Sequence, residues 1–538
     1  MWTVILLTCF NAMASTVYHN GTIRIGDEDQ TVTDWIAIAD GKVLDYGKGK
    51  RFRQLNAEKQ IDLKGRTLMP GLTDSHLHLT DLGMNQFQVD LKGCRSADEA
   101  AERVRKVLSQ QPAGAIVGNG WDQSDWPGKQ FPHRSSLDNV LDSRPIILYR
   151  IDGHAAWVNT YALKHTPAWT MSGDPAGGQI IRDSKGIPTG VLIDKAMSEL
   201  EPLIGEPSDE QLERYLLAAV KSLVSVGVTG AHDAGASPRE IAAIRRLLKR
   251  NAVRFRFYEM LSVKGVKNLS TVLTQPEIDP QHWLTIRTVK LFLDGAMGSW
   301  GAALEKPYSD KPESTGILRM TASDLETQVR AIDSKGYQIA IHAIGDRANR
   351  IAIDALIKIL GKHTQVTRPR IEHVQMLRSA DPDRILTYKI IASMQPIHCT
   401  SDMKWVVQRI GPERARFTYA WNSLQTAPLA FGSDAPMDDF IPWHGLFAAV
   451  TRQTASFEPA GGFYPEQIVS LERALQAFTL GAAYASFSEN ALGSLEKGKL
   501  ADFIVVDQDP FKATLKALYA TKVLETYIGG ERVFPCPL

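Results

Sequence analysis

The chain has 538 residues, 44% of them hydrophobic and 22% charged. That length exceeds one ordinary domain and suits a large barrel with additions, and the composition is that of a globular protein. With 61 Lys and Arg against 60 Asp and Glu, charge gives no reason to expect nucleic acid or an anionic membrane as partner. The four cysteines (Cys9, Cys94, Cys399, Cys536) form no C-x-x-C. A disulfide framework or a Cys-based zinc ribbon is therefore not expected, and any bound metal must be held by His and carboxylates.

Residues 1–14 read as an export signal. Trp2 to Ala14 is apolar and too short to span a membrane, and Ala12 and Ala14 give an A-x-A pattern before Ser15. The segment carries no Lys or Arg; the alternative is a first β-strand or a misplaced start. A periplasmic or secreted location is expected, with the cytoplasm as the alternative. No other long apolar run suggests a membrane span.

Residues 16–66 read as a β-meander. Val17-Tyr18-His19 and Thr22–Ile25 flank Asn20-Gly21, a hairpin turn pair, and Trp35–Ile38 is followed by Asp40-Gly41. Residues 490–538 repeat the style, with Asp502–Val506 and Val523–Ile528 as strands. Neither segment has enough apolar surface to stand alone, so the two are expected to pair as one composite β domain.

Between them, over 67–489, apolar strands alternate with helices. Candidate strands are Thr67–Thr73, Gly227–Ala231, Arg254–Leu261, Thr285–Leu293, Gln338–His342, Arg370–His373, Ile390–Met394 and Leu429–Gly432. Helices are expected at Ser96–Leu108, Asp209–Val224, Pro238–Lys249, Ala322–Lys335 and Ala348–Leu360. Eight strands with intervening helices define an α/β fold, the (β/α)8 TIM barrel. The gap after the first strand is too long for one crossover. It implies an insertion over about 80–205, rich in Gly and Pro and expected to lie over the barrel mouth as loops and short strands.

The strand ends carry the chemistry. His76 and His78 follow the first strand, and side chains at i and i+2 point to the same side, so both can enter the barrel and chelate one ion. The fifth strand ends at His342, the sixth at His373, and the eighth runs into Asp434. Each taken alone is explained by a hydrogen-bonded core residue. Four His and one Asp at equivalent strand ends are explained most economically by one divalent ion or a pair. Lys290 interrupts the apolar fourth strand. An unpaired buried ammonium tends to lose its proton, whereas a partner such as Asp294 or Asp434 would hold it charged.

Several segments together resemble the amidohydrolase superfamily, and more closely its family 3, which includes N-substituted formamide deformylases. They are Pro70-Gly71-Leu72-Thr73-Asp74-Ser75-His76-Leu77-His78, Asp152-Gly153-His154, Val289-Lys290-Leu291-Phe292-Leu293-Asp294-Gly295, His342-Ala343-Ile344-Gly345-Asp346, Ile371-Glu372-His373-Val374-Gln375, Gly432-Ser433-Asp434-Ala435-Pro436 and Gly493-Ser494-Leu495-Glu496-Lys497-Gly498. The resemblance implies two divalent ions, zinc first, with manganese or iron as alternatives. His76, His78 and Asp434 would hold one, His342 and His373 the other, and Lys290, as N6-carboxylysine, would bridge them. It also implies that the terminal β segments form a small sandwich. A metal-bound hydroxide would attack a polarised carbonyl, with Asp434 as the catalytic proton carrier.

The expected partner is then a small-molecule amide, with no nucleic acid or membrane, and a homodimer is an open alternative to a monomer. His154, Trp121 and His232 are candidate substrate contacts. The competing explanations are a hydrogen bond within the insertion for His154, packing for Trp121, and support of the ligands for His232. Gln395 and His398 follow the seventh strand within reach of substrate. A serine hydrolase lacks its G-x-S-x-G, and neither a P-loop nor G-x-G-x-x-G is present. A one-metal ring deaminase and a non-catalytic barrel remain as alternatives. Lys290 favours the two-metal amidase, and the complete ligand set favours catalysis.

Overall fold

The computed structural model describes residues 16–535, except 56, 110, 112, 152–154, 176, 264–265, 267–268 and 270–272. The segment read as an export signal and the candidate His154 lie outside the described residues. Two compact units divide the chain: residues 1–83 with 213–538, and residues 84–212.

The larger unit contains eight parallel strands: β1 (Leu72–Leu77), β2 (Val228–Ala236), β3 (Arg256–Ser262), β4 (Leu284–Phe292), β5 (Gln338–Ala343), β6 (Arg370–His373), β7 (Ile391–Met394) and β8 (Leu429–Phe431). Each pairs in parallel with its sequence neighbour from β1 to β8. Main-chain bonds bring the two edges together: Asp434 N–H donates to the His76 carbonyl at 2.6 Å and His78 N–H to the Ala435 carbonyl at 2.8 Å. The barrel is thereby nearly closed.

Helices return the chain between strands, and their starts are written locally. Ser237 caps Pro238–Lys249 in a capping box with Glu240, with Pro at the first helical position. Thr321 and Asp324 do the same for Ala322–Asp333. The core lies between these helices and the outward faces of the strands, through residues such as Leu291, Ile339, Ile341, Leu325 and Val329.

Two expectations are corrected. First, Thr67–Thr73 is not one barrel strand. Thr67–Pro70 belongs to another sheet, where it pairs antiparallel with Phe503–Val506, and β1 begins at Leu72. The break falls at Pro70-Gly71. Proline offers no N–H, and a Cβ on Gly71 would sit 2.3 Å from the Thr229 side chain, so only glycine passes there. Second, Asn20-Gly21 is not a hairpin turn. One strand, Thr16–Arg24, runs through it with a register shift between His19 and Ile23. Asn20 takes φ +57°, and a Cβ on Gly21 would lie 2.5 Å from the Arg66 carbonyl oxygen. The pair makes a bulge.

Strands from both terminal segments join one hydrogen-bonded sheet of eight. Its members Tyr18, Ile23, Ile36, Phe503, Val505 and Tyr527 share a core.

Residues 84–212 form a compact unit rather than loose loops. It has a six-stranded sheet, from Val89–Asp90 to Gly178–Arg182, with its own core. Trp121, Trp126 and Trp157 pack edge to face or tilted there, with centroids 5.9–6.3 Å apart. Trp121 is fully buried and its indole N–H donates to the Leu148 carbonyl at 2.7 Å. A side chain so enclosed and satisfied packs the insertion, which corrects its reading as a substrate contact. Among the described residues, no helix is long and apolar enough to cross a membrane.

Candidate metal centre

The barrel interior is layered because alternate residues of each strand face inward. On β4 these are Thr288, Lys290 and Phe292; on β5, Gln338, Ala340 and His342; on β6, Arg370 and Glu372, as their register pairs show.

The floor layer is a closed hydrogen-bond network. The Gln338 side-chain oxygen accepts from Thr288 Oγ1 at 2.6 Å and Tyr258 OH at 2.9 Å. Arg370 is fully buried. Its guanidinium donates to Glu372 Oε1 at 2.5 Å, the Ser75 carbonyl at 2.7 Å, Ser393 Oγ at 2.7 Å and His232 Nδ1 at 3.0 Å. His232 is thus held in the floor as an acceptor from Arg370. Burial, and then Arg370, push its pKa well down. Its contacts with Arg370 and the Tyr258 ring are structural, which favours the supporting role over a direct substrate contact.

The mouth layer has the opposite character. His76 Nδ1 donates to Glu372 Oε2 at 2.5 Å, which leaves Nε2 as a lone pair facing the barrel axis. That nitrogen lies 3.4 Å from Asp434 Oδ1, as does His78 Nε2. Lys290 Nζ stands 3.4 Å from His76 Nε2 and 4.9 Å from the centre of the Phe292 ring. The His373 ring centre is 4.8 Å from that of His76 and 4.5 Å from that of His342. His373 Nδ1 bonds Gln395 Oε1 at 2.8 Å, again freeing Nε2. His342 Nε2 faces Asp294 Oδ1 at 3.5 Å. Asp294 is itself fixed by the N–H groups of Ala303, Ile344 and Gly345.

The backbone is strained at these positions. His373, Val374 and Asp434 take φ of +75°, +46° and +61°. Such values cost free energy in residues other than glycine, most of all in a β-branched one, and cluster at functional sites. Asp74 Oδ1 braces the turn by accepting from the N–H groups of His76 and Ser433, each at 3.0 Å.

Electrostatics match a cation site. Burial pushes His76 down to about 4, helped by Lys290, and pushes His342 and His373 well below the usual imidazole value. All three are neutral donors near pH 7. Burial would raise the Asp434 carboxyl, but bonding to His78 and the surrounding histidines hold it well below the usual range. Burial lowers the Lys290 ammonium to about 8. No carboxylate oxygen among the described residues comes within 4.0 Å of Lys290, so the paired-lysine alternative with Asp294 or Asp434 is not seen. The imidazoles of His76 and His373, neutral and with Nδ1 anchored, together with His78 and Asp434 form a donor set that fits a divalent metal. His76, His78 and Asp434 bring one ligand atom each within 4.8 Å of the others.

A family model described as the amidohydrolase family matches residues 59–534. The chain belongs to the amidohydrolase family. Relatives within and around it cover nearly the whole length. LONG AFTER FAR-RED 3 of Arabidopsis thaliana is 33% identical, over 97% of this chain and 92% of its own. A putative amidohydrolase, YtcJ, of Bacillus subtilis is 28% identical over 96% and 99%. An N-substituted formamide deformylase of Arthrobacter pascens is 24% identical over 95% and 96%. A solved uncharacterized metal-dependent hydrolase from Pyrococcus furiosus matches with TM-score 0.78 and 30% identity, over 92% of this chain and 100% of that one. This amidohydrolase is therefore a metal-dependent hydrolase with a parallel eight-stranded barrel.

The structure brings His76, His78, Lys290, His342, His373 and Asp434 to one end of the barrel. Sequence reasoning assigned no role to Glu372, Arg370 or Asp74, which orient them, and considered Asp294 only as a partner of Lys290. Glu372 offered one signal, a carboxylate next to His373 in a strand that also carries Arg370.

Proposed function

We propose that this amidohydrolase cleaves a non-peptide C–N amide-type bond in a small molecule, such as an N-substituted formamide, an N-acyl amine or a cyclic amide. Two divalent ions, zinc first, would be held by His76, His78 and Asp434 on one side and by His342 and His373 on the other. Lys290, as N6-carboxylysine, would supply the shared anionic ligand. The observation that carries this reading is Lys290: a buried lysine beside the Nε2 of His76, depressed to about 8, with no carboxylate oxygen of the described residues within 4.0 Å. About a tenth of such amines are neutral at pH 7, against well under a thousandth for an ordinary lysine, and the neutral amine can add to carbon dioxide. The relative named N-substituted formamide deformylase supports the bond class.

Bound divalent metal supplies Lewis acidity, which lowers the pKa of water toward neutrality and polarises a carbonyl. The chain does the rest. Asp434, the one carboxylate in contact with both His76 and His78, is placed to take the proton of the attacking water. Oxygen adds to the carbonyl carbon, the C–N bond breaks, and the same carboxyl returns the proton to the leaving nitrogen. Glu372 and Gln395 keep the imidazoles in the required tautomer throughout. Metal content, measured with hydrolysis of formamides, N-acyl amines and cyclic amides, tests the proposal. Less than one ion per chain, and no hydrolysis after zinc or manganese is added, would sink it.

A further inference from the structure

We propose that His398 is itself a metal ligand, holding a divalent cation with His373 and Oδ2 of Asp434. The inference rests on the metal-dependent reading and adds to its ligand set.

Asp434 stands between two pairs of histidines. Its Oδ1 faces His76 and His78, each at 3.4 Å. Its Oδ2 faces His398 Nε2 at 3.7 Å. Zinc–ligand bonds of about 2.0–2.1 Å put tetrahedral neighbours about 3.3 Å apart. The first pair matches that spacing, and the second approaches it. His373, His398 and Asp434 bring one ligand atom each within 4.8 Å, as His76, His78 and Asp434 do.

One short segment prepares both donors on the second side. Gln395 follows β7 directly and holds His373 Nδ1. His398 follows three residues later, in the first turn of the helix Pro396–Asp402. Its ring lies within 15° of parallel to that of His373, with centroids 6.1 Å apart. His342 is placed differently, with Nε2 turned toward Asp294 Oδ1 at 3.5 Å and without a hydrogen bond. The side chain of His398 is 16% exposed, so a cation can reach it from the open end.

The test compares wild type with His398→Ala, His398→Cys and the surface control His363→Ala, using the full chain. Each protein is stripped, reloaded with zinc or cobalt, dialysed and assayed for ions per chain, with Tm of the metal-free proteins as the folding control. In His398→Ala the expected result is loss of one ion per chain, or an affinity for it weakened by about 100-fold or more. His398→Cys should keep that ion and show a thiolate-to-cobalt charge-transfer band. The band reports ligation directly, and it decides the matter even where the alanine variant folds poorly.

Unchanged ion content and affinity in His398→Ala, with no such band in His398→Cys, would overturn the inference and make His398 a substrate contact. If wild type carries a single ion, its loss in His398→Ala supports the inference and its retention overturns it. A wild-type protein that neither binds metal nor hydrolyses amides would instead refute the underlying metal-dependent reading.

Discussion

The floor and the mouth of the barrel are both built from buried polar side chains, yet they are wired in opposite ways. In the floor, donors meet acceptors: Arg370 serves Glu372, Ser75, Ser393 and His232, and Gln338 accepts from Tyr258 and Thr288. In the mouth, the Nε2 atoms of His76 and His78 both face Asp434 Oδ1 at 3.4 Å, and Lys290 Nζ stands 3.4 Å from His76 Nε2. A satisfied buried network stabilises a fold. Ligand-type atoms converging with few donors among them are costly unless a cation joins them. The difference separates the structural layer from the chemical one without reference to any relative.

The largest effect should come from breaking the mouth at its centre. Asp434→Asn keeps the volume and removes the shared anion. It should cost about three orders of magnitude or more in kcat and most of the bound metal, while the metal-free protein stays folded; metal analysis beside steady-state kinetics checks this. Lys290→Ala should follow, with a loss of about 100-fold or more that short-chain carboxylic acids partly restore, read as activity against added acid. Undiminished activity would remove Lys290 from the site.

The floor should respond in the other currency. Arg370→Met leaves Glu372 buried without its cation and should destabilise the metal-free protein by about 3–5 kcal/mol in urea unfolding. If that variant instead unfolded like wild type while losing metal, the floor would not be the structural layer.

Glu259 sharpens the comparison as a third case, unpartnered but not convergent on a ligand. It is fully buried, neither oxygen has a partner, and it pairs in register with Asp233. Burial, and then Asp233 and Glu240, raise its pKa well above the usual value. A carboxyl raised in the folded state contributes stability below its unfolded pKa of about 4.3 and loses it as pH climbs toward the folded value. Glu259→Gln lacks that penalty. Its Tm should match wild type near pH 4 and exceed it by a growing margin toward pH 8, a gain of about 1.4 kcal/mol per pH unit until the folded carboxyl ionises. Parallel Tm curves would show that Glu259 does not titrate on unfolding.

The barrel was legible in the sequence because each strand declares itself locally by an apolar run and each helix by its cap. The His and Asp at the strand ends were legible for the same reason: strand direction fixes where they emerge. What orients them was not legible. His76 and Glu372 lie 296 residues apart, and Arg370 and His232 lie 138 apart, so no local pattern links them. Asn20-Gly21 misled because the same dipeptide that turns a hairpin also accommodates a bulge, and only the neighbouring Arg66 carbonyl decides between them. The tryptophans of residues 84–212 were ambiguous because aromatic side chains suit a pocket and a core equally, and enclosure separates the two.

The Pro70-Gly71 junction has a consequence for the order in which the molecule is made. The strand before it pairs with Phe503–Val506, and Gly71 N–H is held by the Asp502 carbonyl at 3.0 Å. His76 stands five residues beyond. The anchor of the first histidine is therefore made more than 400 residues after it. Contacts so distant in sequence form late. A nascent chain holds the first histidine pair long before it holds the strand that fixes their place, so the candidate site is completed only after that strand is made.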